Sequence, residues 1–398
     1  MRTELEPLGR SYDVVVANPP YMGAKNMNKW LSGWVKDNYP DVKGDLFSCF
    51  MVRNSRMGSQ HAQMGFMTPY VWMFIGTYEK LRRFVIEQNT ITSLIQLEYS
   101  GFSGATVPIC TFTLQKGKVE GYRGGYIRLS DFLGADQQAP RALEALADPD
   151  CGWFYRANGA EFKAIPGCPI AYWVSDAIRQ AFLSGAKIVS FVKMPYGFKT
   201  GDNDRFLRAW WECPHKSFAN SAKSKGEAVR SGAKWFPYNK GGAYRKWFGN
   251  NEYVLNYENG GDEVIAHARQ ENRSAADYDT ELLFRPVVTW SRISSGRLHM
   301  RYSPGGAICD MTGSGYYGTP STLSYLQALC NSSVIVNIAG ILSPTLDYQP
   351  GQIGSYPVLG INENRDCVVP LVEDLRRISK ADWDALETSW DFARHPLL

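Results

Sequence analysis

Apolar and polar positions fall into short alternating blocks over the first 120 residues. The run YDVVVA, 12–17, is β-branched and apolar, the pattern of a buried strand. Pro19 and Pro20 end it, since neither can donate to a ladder. A mixed apolar stretch over 46–57 predicts a helix, and MGFMTP, 64–69, predicts a short strand ending at Pro69. Residues 70–88 read as one helix with its charges gathered in YEKLRRFVIEQ. ITSLIQLE, 91–98, and VPICTFTLQK, 107–116, are further strands. Strands alternating with helices predict an α/β domain with a largely parallel sheet.

The texture changes near residue 120. DFLGADQQAPRALEALADPD is polar and rich in Ala, Asp and Pro, the composition of a connection with a short helix. From about 185 the chain is rich in Gly, Ser, Lys and aromatics, which predicts irregular loops and short strands. LSYLQALCNSSVIVNIAGIL, 323–342, predicts helix. The last 21 residues, from Ile378, read as a tail beyond the globular part, with Ser379 as a helix cap and Asp382 three positions on.

Charge sharpens this picture. The chain carries +4 overall, but residues 187–250 hold 13 Lys or Arg against 4 Asp or Glu, a local net of +9. The same stretch holds Trp210, Trp211, Trp235, Phe236, Tyr238, Tyr244 and Trp247. Basic and aromatic residues interleaved in this way suit a nucleic-acid surface, or else a solvated face over buried aromatics. Eight cysteines lie far apart without a CxxC pair, and five histidines are scattered, so no metal centre is expected. There is neither an apolar run of membrane-spanning length nor a signal-peptide core in the first ten residues; the expectation is a cytoplasmic protein with no membrane partner.

The candidate chemistry sits directly after the first strand, in Asn18-Pro19-Pro20-Tyr21. Ligand groups in open α/β sheets stand at the carboxyl ends of strands. Two prolines restrict the backbone, which can aim the Asn18 side-chain oxygen and the Pro19 carbonyl at one point. Two converging acceptors suit an exocyclic amine that donates two hydrogens and keeps its lone pair for attack on a methyl group. Tyr21 is placed to stack over the attached ring. Orientation and electrostatics suffice for such a step, without a base of unusual pKa. The competing reading is a rigid strand-to-loop turn in which Asn18 bonds its own backbone.

The chain resembles the N6-adenine DNA methyltransferases with an Asn-Pro-Pro-Tyr motif, and within them the methyltransferases of BREX phage-defence systems. It is also similar to large restriction enzymes that fuse modification with target recognition. The likeness is carried in order by VVVANPPYMG, GDLFSCFMVR, MGFMTPYVWM, YSGFSGATVPICTFTLQK, PYGFKTGDNDRFLRAWWE, PYNKGGAYRKWFGN, VVTWSRISSGRLHMRY and LSPTLDYQPGQIGSYPV. It implies an incomplete Rossmann-like α/β methyltransferase sheet over 1–120, a connecting segment over 121–185, a mixed α+β target-recognition domain over 186–360 and a helical tail over 361–398. It implies a flipped adenine held by Asn18 and Pro19, stacked by Tyr21 and packed by Phe102, with S-adenosylmethionine as methyl donor and double-stranded DNA as partner. Lys199, Arg205 and Arg208, then Lys240, Arg245 and Lys246, are the expected phosphate contacts; Arg292 and Arg297 are the expected approaches to base edges.

One departure qualifies the expectation. In that family a cofactor-binding half precedes Asn-Pro-Pro-Tyr, with a glycine-containing loop and an acidic ribose ligand. Seventeen residues precede Asn18 here, and neither Glu4 nor Glu6 makes a convincing ribose ligand, so the cofactor-binding residues are unassigned. The expectation is a C-terminal portion that is inactive alone and needs a complementary N-terminal piece or other BREX components. The alternatives are a non-catalytic DNA-binding module and a remnant of such an enzyme. Glutamine methyltransferases of protein release factors share the motif, but the basic aromatic stretch argues against them.

Overall fold

The computed structural model describes residues 9–102, 107–270, 281–294, 296–343 and 347–397; Glu4 and Glu6 lie outside them. The chain divides into two compact units, Met1–Leu183 and Ser184–Leu398.

The first unit is built on a six-stranded α/β sheet. Its strands are β1 (Tyr12–Ala17), β2 (Gly58–Pro69), β3 (Asn89–Gln96), β4 (Ile109–Lys116), β5 (Arg123–Arg128) and β6 (Phe154–Asn158), in the spatial order β1-β2-β4-β3-β5-β6. The helices used below are α1 (Lys29–Asn38), α2 (Leu46–Met57), α3 (Glu79–Gln88) and α4 (Ala135–Ala147). The incomplete Rossmann-like core expected from the sequence is present, but the sheet is mixed rather than largely parallel. β1 with β2 and β3 with β5 are parallel; β2 with β4, β3 with β4 and β5 with β6 are antiparallel. The reason lies in the connections. No helix bridges β3 to β4 among the described residues, so the chain turns back on itself instead of crossing over. The stretch read as a connection supplies β5 and β6 to this sheet, with α4 between them.

Two further expectations change. β1 is an edge strand paired only with β2 among the described strands, and Val14 and Val16 are 64% and 78% exposed rather than buried. Residues 70–88 are not one helix. Two short 3-10 turns, Tyr70–Met73 and Gly76–Tyr78, precede α3. The buried Arg82 explains the break: its Nη1 donates to the carbonyls of Trp72 and Ile75, each at 2.7 Å, and its Nε to Gly167 at 2.8 Å. Carbonyls turned toward a guanidinium do not continue a helix. Around this anchor Phe47, Met64, Phe66, Trp72, Leu81, Leu94 and Phe112 form the core, each large side chain worth roughly 1.5–3 kcal/mol of burial.

The second unit is mixed α and β, as the sequence suggests. A short strand, β7 (Ala186–Lys187), opens it. One sheet is made of β8 (Leu207–Ala209), β9 (Trp235–Asn239), β10 (Tyr253–Asn256) and, beyond the second sheet in sequence, β13 (Ile308–Cys309), in the order β13-β9-β10-β8. The second is made of β11 (Val287–Trp290), β12 (Met300–Ser303) and β14 (Gly315–Tyr316), in the order β12-β11-β14. A last strand, β15 (Pro357–Val358), pairs with β7. Phe206, Phe236, Tyr238, Tyr257 and Phe284 fill the core beside the first sheet. The apolar stretch 323–342 is two helices, α5 (Pro320–Asn331) and α6 (Ser333–Leu342), bent by 72° where Ser332 caps α6. No single helix among the described residues is long and apolar enough to cross a membrane. The expected tail begins inside α7 (Ile361–Asp384), which packs on α5, and continues beyond it without further helix among the described residues. Ser379 is not a cap: it lies inside α7 and its hydroxyl donates to the carbonyls of Lys246 and Phe248 at 3.0 and 3.2 Å. Trp383 is buried, which ties this end of the chain to the unit.

Candidate active site and nucleic-acid interface

β1 delivers Asn18 to its carboxyl end, with Asn18 exposed and Pro19 buried. The loop that follows is clamped by the entrance to α2. The Asp45 carboxylate accepts from the Met22 amide at 2.9 Å and caps α2 through the Phe47 amide at 3.3 Å. Leu46 donates to the Met22 carbonyl, and Ala24 to that of Gly44. One carboxylate thus fixes both the helix end and the loop, a cap worth about 1 kcal/mol to the helix alone. Burial raises the Asp45 pKa, against the opposing pull of its amide partners.

The structure brings Asn18 and Tyr21 together. The Tyr21 hydroxyl donates to Asn18 Oδ1 at 3.1 Å and lies 3.2 Å from the Met67 carbonyl on β2. An amide oxygen has two lone pairs, so Asn18 keeps one acceptor position. Burial, and secondarily the Cys110 thiol, push the Tyr21 hydroxyl above the ordinary phenol value, so it stays a neutral donor. The Tyr21 ring meets Phe47 edge-on, with centroids 6.4 Å apart. Phe102 stands in the β3–β4 connection with 47% of its surface exposed. Asp45, Phe47 and the Met67 carbonyl escaped the sequence reading. The Asp45 that precedes an apolar run in GDLF is the signal that marks the first two, whereas a backbone carbonyl leaves none.

Across nearly its whole length the chain has relatives. Residues 6–102 match the Eco57I restriction-modification methylase family. The adenine-specific methyltransferase PglX of Lacticaseibacillus casei (strain Zhang) is 34% identical over 98% of this chain, and the adenine-specific methyltransferase BrxX of Escherichia coli O9:H4 (strain HS) likewise 34% over 98%. The chain is a homologue of both. It spans about a third of their length, 33% and 31%. Among solved structures, a nuclease-deletion mutant of the Type ISP restriction-modification enzyme LlaGI, in complex with a DNA substrate mimic, matches 95% of this chain and 42% of its own, with a TM-score of 0.52 and 12% identity. That likeness is one of fold.

The cations picked from the sequence in the second unit are mostly engaged internally. Arg205 pairs with Glu263 at 2.7 Å, Arg245 with Asp382 at 2.8 Å and Arg292 with Asp347 at 2.9 Å. Arg208 donates to the carbonyls of Asp204 and Leu207, and Lys246 to that of Asn331. Lys240 lies over the Tyr253 ring, and Lys199 also has an interaction partner. Arg297 is exposed in the β11–β12 connection. Of the seven aromatics named above in the basic stretch, Trp211 and Tyr244 are exposed, while Phe236 and Tyr238 belong to the core.

The first unit shows the reverse. α1 exposes Trp30 and Trp34, and Lys25, Lys29 and Lys36 are exposed with no ion pair among the described residues. Their spacing, Lys-Trp followed four positions later by Trp, was the available signal.

Proposed function

We propose that the chain carries the adenine-presenting loop and a DNA-binding region of a site-specific N6-adenine DNA methyltransferase from a phage-defence or restriction-modification system. The observation that carries this reading is the Asn18–Tyr21 contact in a clamped loop at the end of a parallel strand, in a homologue of adenine-specific methyltransferases. In this reading the adenine leaves the duplex, and its N6 amine donates to the free lone pair of Asn18 Oδ1 and to the Pro19 carbonyl. Those two bonds would take both N6 hydrogens and leave the nitrogen lone pair free of hydrogen bonds. Tyr21 releases its own bond to Asn18 or shares the oxygen, and stacks on the base; Phe102 packs against it.

The methyl donor of this reading is S-adenosylmethionine. The described residues do not fit it by themselves: β1 has no strand on its outer side, and Asp45, the carboxylate beside the loop, is already taken by the Met22 and Phe47 amides. Contacts to phosphate fall to Lys199, Arg205, Arg208 and Lys240, and contacts to base edges to Arg292 and Arg297, where the paired Arg205 and Arg292 must exchange a carboxylate for DNA; Arg245 and Lys246, expected there from the sequence, serve Asp382 and the Asn331 carbonyl instead.

The test supplies tritiated S-adenosylmethionine and DNA from a methylation-free host to the chain, alone and with the two thirds of PglX that lie outside the matched region. Label is expected on adenine N6 in DNA, and Asn18→Ala is expected to lower it by about 10²-fold or more. Label on another base or on protein, or unimpaired transfer by Asn18→Ala, overturns the reading.

A further inference from the structure

α1 is held at its start by Asn28, whose side chain accepts from the Leu31 amide at 2.8 Å, yet it buries only Val35. Trp30 and Trp34 are 73% and 44% exposed. Residues four apart share a helix face, so the two indoles form one exposed aromatic stripe, in which Trp34 also meets the Tyr39 ring at 5.7 Å. Large aromatics are ordinarily the most strongly buried contributors to a core, and a stripe left in water calls for an occupant.

Its surroundings say which. No acidic residue occurs from Met22 to Lys36, and the stretch carries Lys25, Lys29 and Lys36. All three are exposed, with no ion pair among the described residues. Asp37 is the one carboxylate on the helix. An apolar protein surface would leave three unpaired ammonium groups at its rim. A nucleic acid satisfies both features, with phosphates for the lysines and base faces for the indoles. The segment is also continuous with the Asn18 loop: α1 starts eight residues after Tyr21, and residues between are bonded to Gly44 and Leu46, the same anchor that fixes the loop.

We infer that α1 is a base-stacking element of the DNA-binding surface, on which Trp30 and Trp34 take the base faces that unstack beside an extruded adenine, while Lys25, Lys29 and Lys36 hold the flanking phosphates. This rests on the proposed DNA-methyltransferase reading.

The experiment titrates the chain against a fluorescein-labelled duplex and against the same duplex carrying a single bulged adenine. Trp30→Ala with Trp34→Ala is expected to weaken binding to the bulged duplex by about tenfold or more, with a smaller loss on the fully paired one. The Phe pair is expected to stay within about threefold of the wild type, because a ring that stacks is retained. Replacing Lys25, Lys29 and Lys36 by Gln is expected to lower the log–log salt slope by about 2.7. Unchanged affinity of the double Ala variant for the bulged duplex overturns the inference. So does loss of self-association in sedimentation with DNA binding intact, which assigns the stripe to a second copy of the chain. A wild-type chain that binds neither duplex defeats the broader reading instead.

Discussion

The basic stretch over 187–250 and the short segment around α1 invert what their sequences promise. The first has the larger charge and more aromatics, but Phe236 and Tyr238 are core residues, and Arg205, Arg245 and Lys246 spend their charge on Glu263, Asp382 and the Asn331 carbonyl. The second has three lysines and two tryptophans, all open to solvent. Counting charge along a chain therefore finds where cations are, not whether they are available. Availability depends on partners far away in sequence: Arg245 and Asp382 are 137 residues apart. The longer stretch is not spent entirely, since Lys216, Lys223 and Arg230 remain exposed within it.

The sharpest separation of the two regions is expected in acid. His299 is buried in the second unit beside Tyr244, with Nδ1 3.0 Å from the Arg297 carbonyl. Burial pushes its pKa down to about 4; the carbonyl contact opposes this, and the charges of Arg301 and Lys246 reinforce it. The unfolded chain titrates near 6.5. Between these values the unfolded state holds a proton that the folded state lacks, so stability falls as pH drops from about 6.5 toward 4, by about 3 kcal/mol in all. Urea unfolding at pH 7 and pH 4.5 measures it. His299→Gln should remove this part of the slope, whereas the Gln variants of the α1 lysines should leave it untouched. An identical acid slope in His299→Gln would show that the imidazole is already protonated in the fold.

A smaller effect, about 1–3 kcal/mol, is expected from Arg245→Gln combined with Lys246→Gln. Arg245 lies over the Trp383 ring and pairs with Asp382, which holds α7, and Lys246 closes the Asn331 carbonyl at the end of α5. The loss should appear as a lower melting temperature with the salt slope of DNA binding unchanged. A slope reduced by about 2 with stability intact would return both residues to the phosphate surface.

Much of the fold was legible where local pattern and tertiary role agree. β1 begins and ends where its β-branched run does, and α2 covers the residues its apolar pattern indicated. Asn18 and Tyr21 stood out because both lie in one short loop whose prolines restrict it, but the hydrogen bond between their side chains was not foreseen. What failed depended on distant groups. The break before α3 is set by the guanidinium of Arg82 drawing away the Trp72 and Ile75 carbonyls. The mixed sheet is set by where β4 inserts, between β2 and β3, which periodicity does not encode. Ser379 looked like a cap because Ser-x-x-Asp is one locally, but the helix runs through it and its hydroxyl serves the Lys246 and Phe248 carbonyls.

The least perturbing test of the comparison releases a single cation. Arg205 and Glu263 are each about half exposed, and their pair at 2.7 Å holds the Glu263 pKa below the ordinary carboxylate range, first through the Arg205 hydrogen bond. A pair so exposed is worth less than about 1 kcal/mol, so Glu263→Gln should hardly change stability. The amide oxygen of the variant side chain can still accept from Asn256, which bonds the other Glu263 oxygen at 2.9 Å, and the local geometry is kept. What changes is the charge beside Arg205. If internal pairing alone keeps this arginine from DNA, its release should raise nonspecific affinity and steepen the salt slope by about 1. If the slope does not move, Arg205 faces away from phosphate whatever its partner, and the inversion between the two regions is one of position as well as pairing.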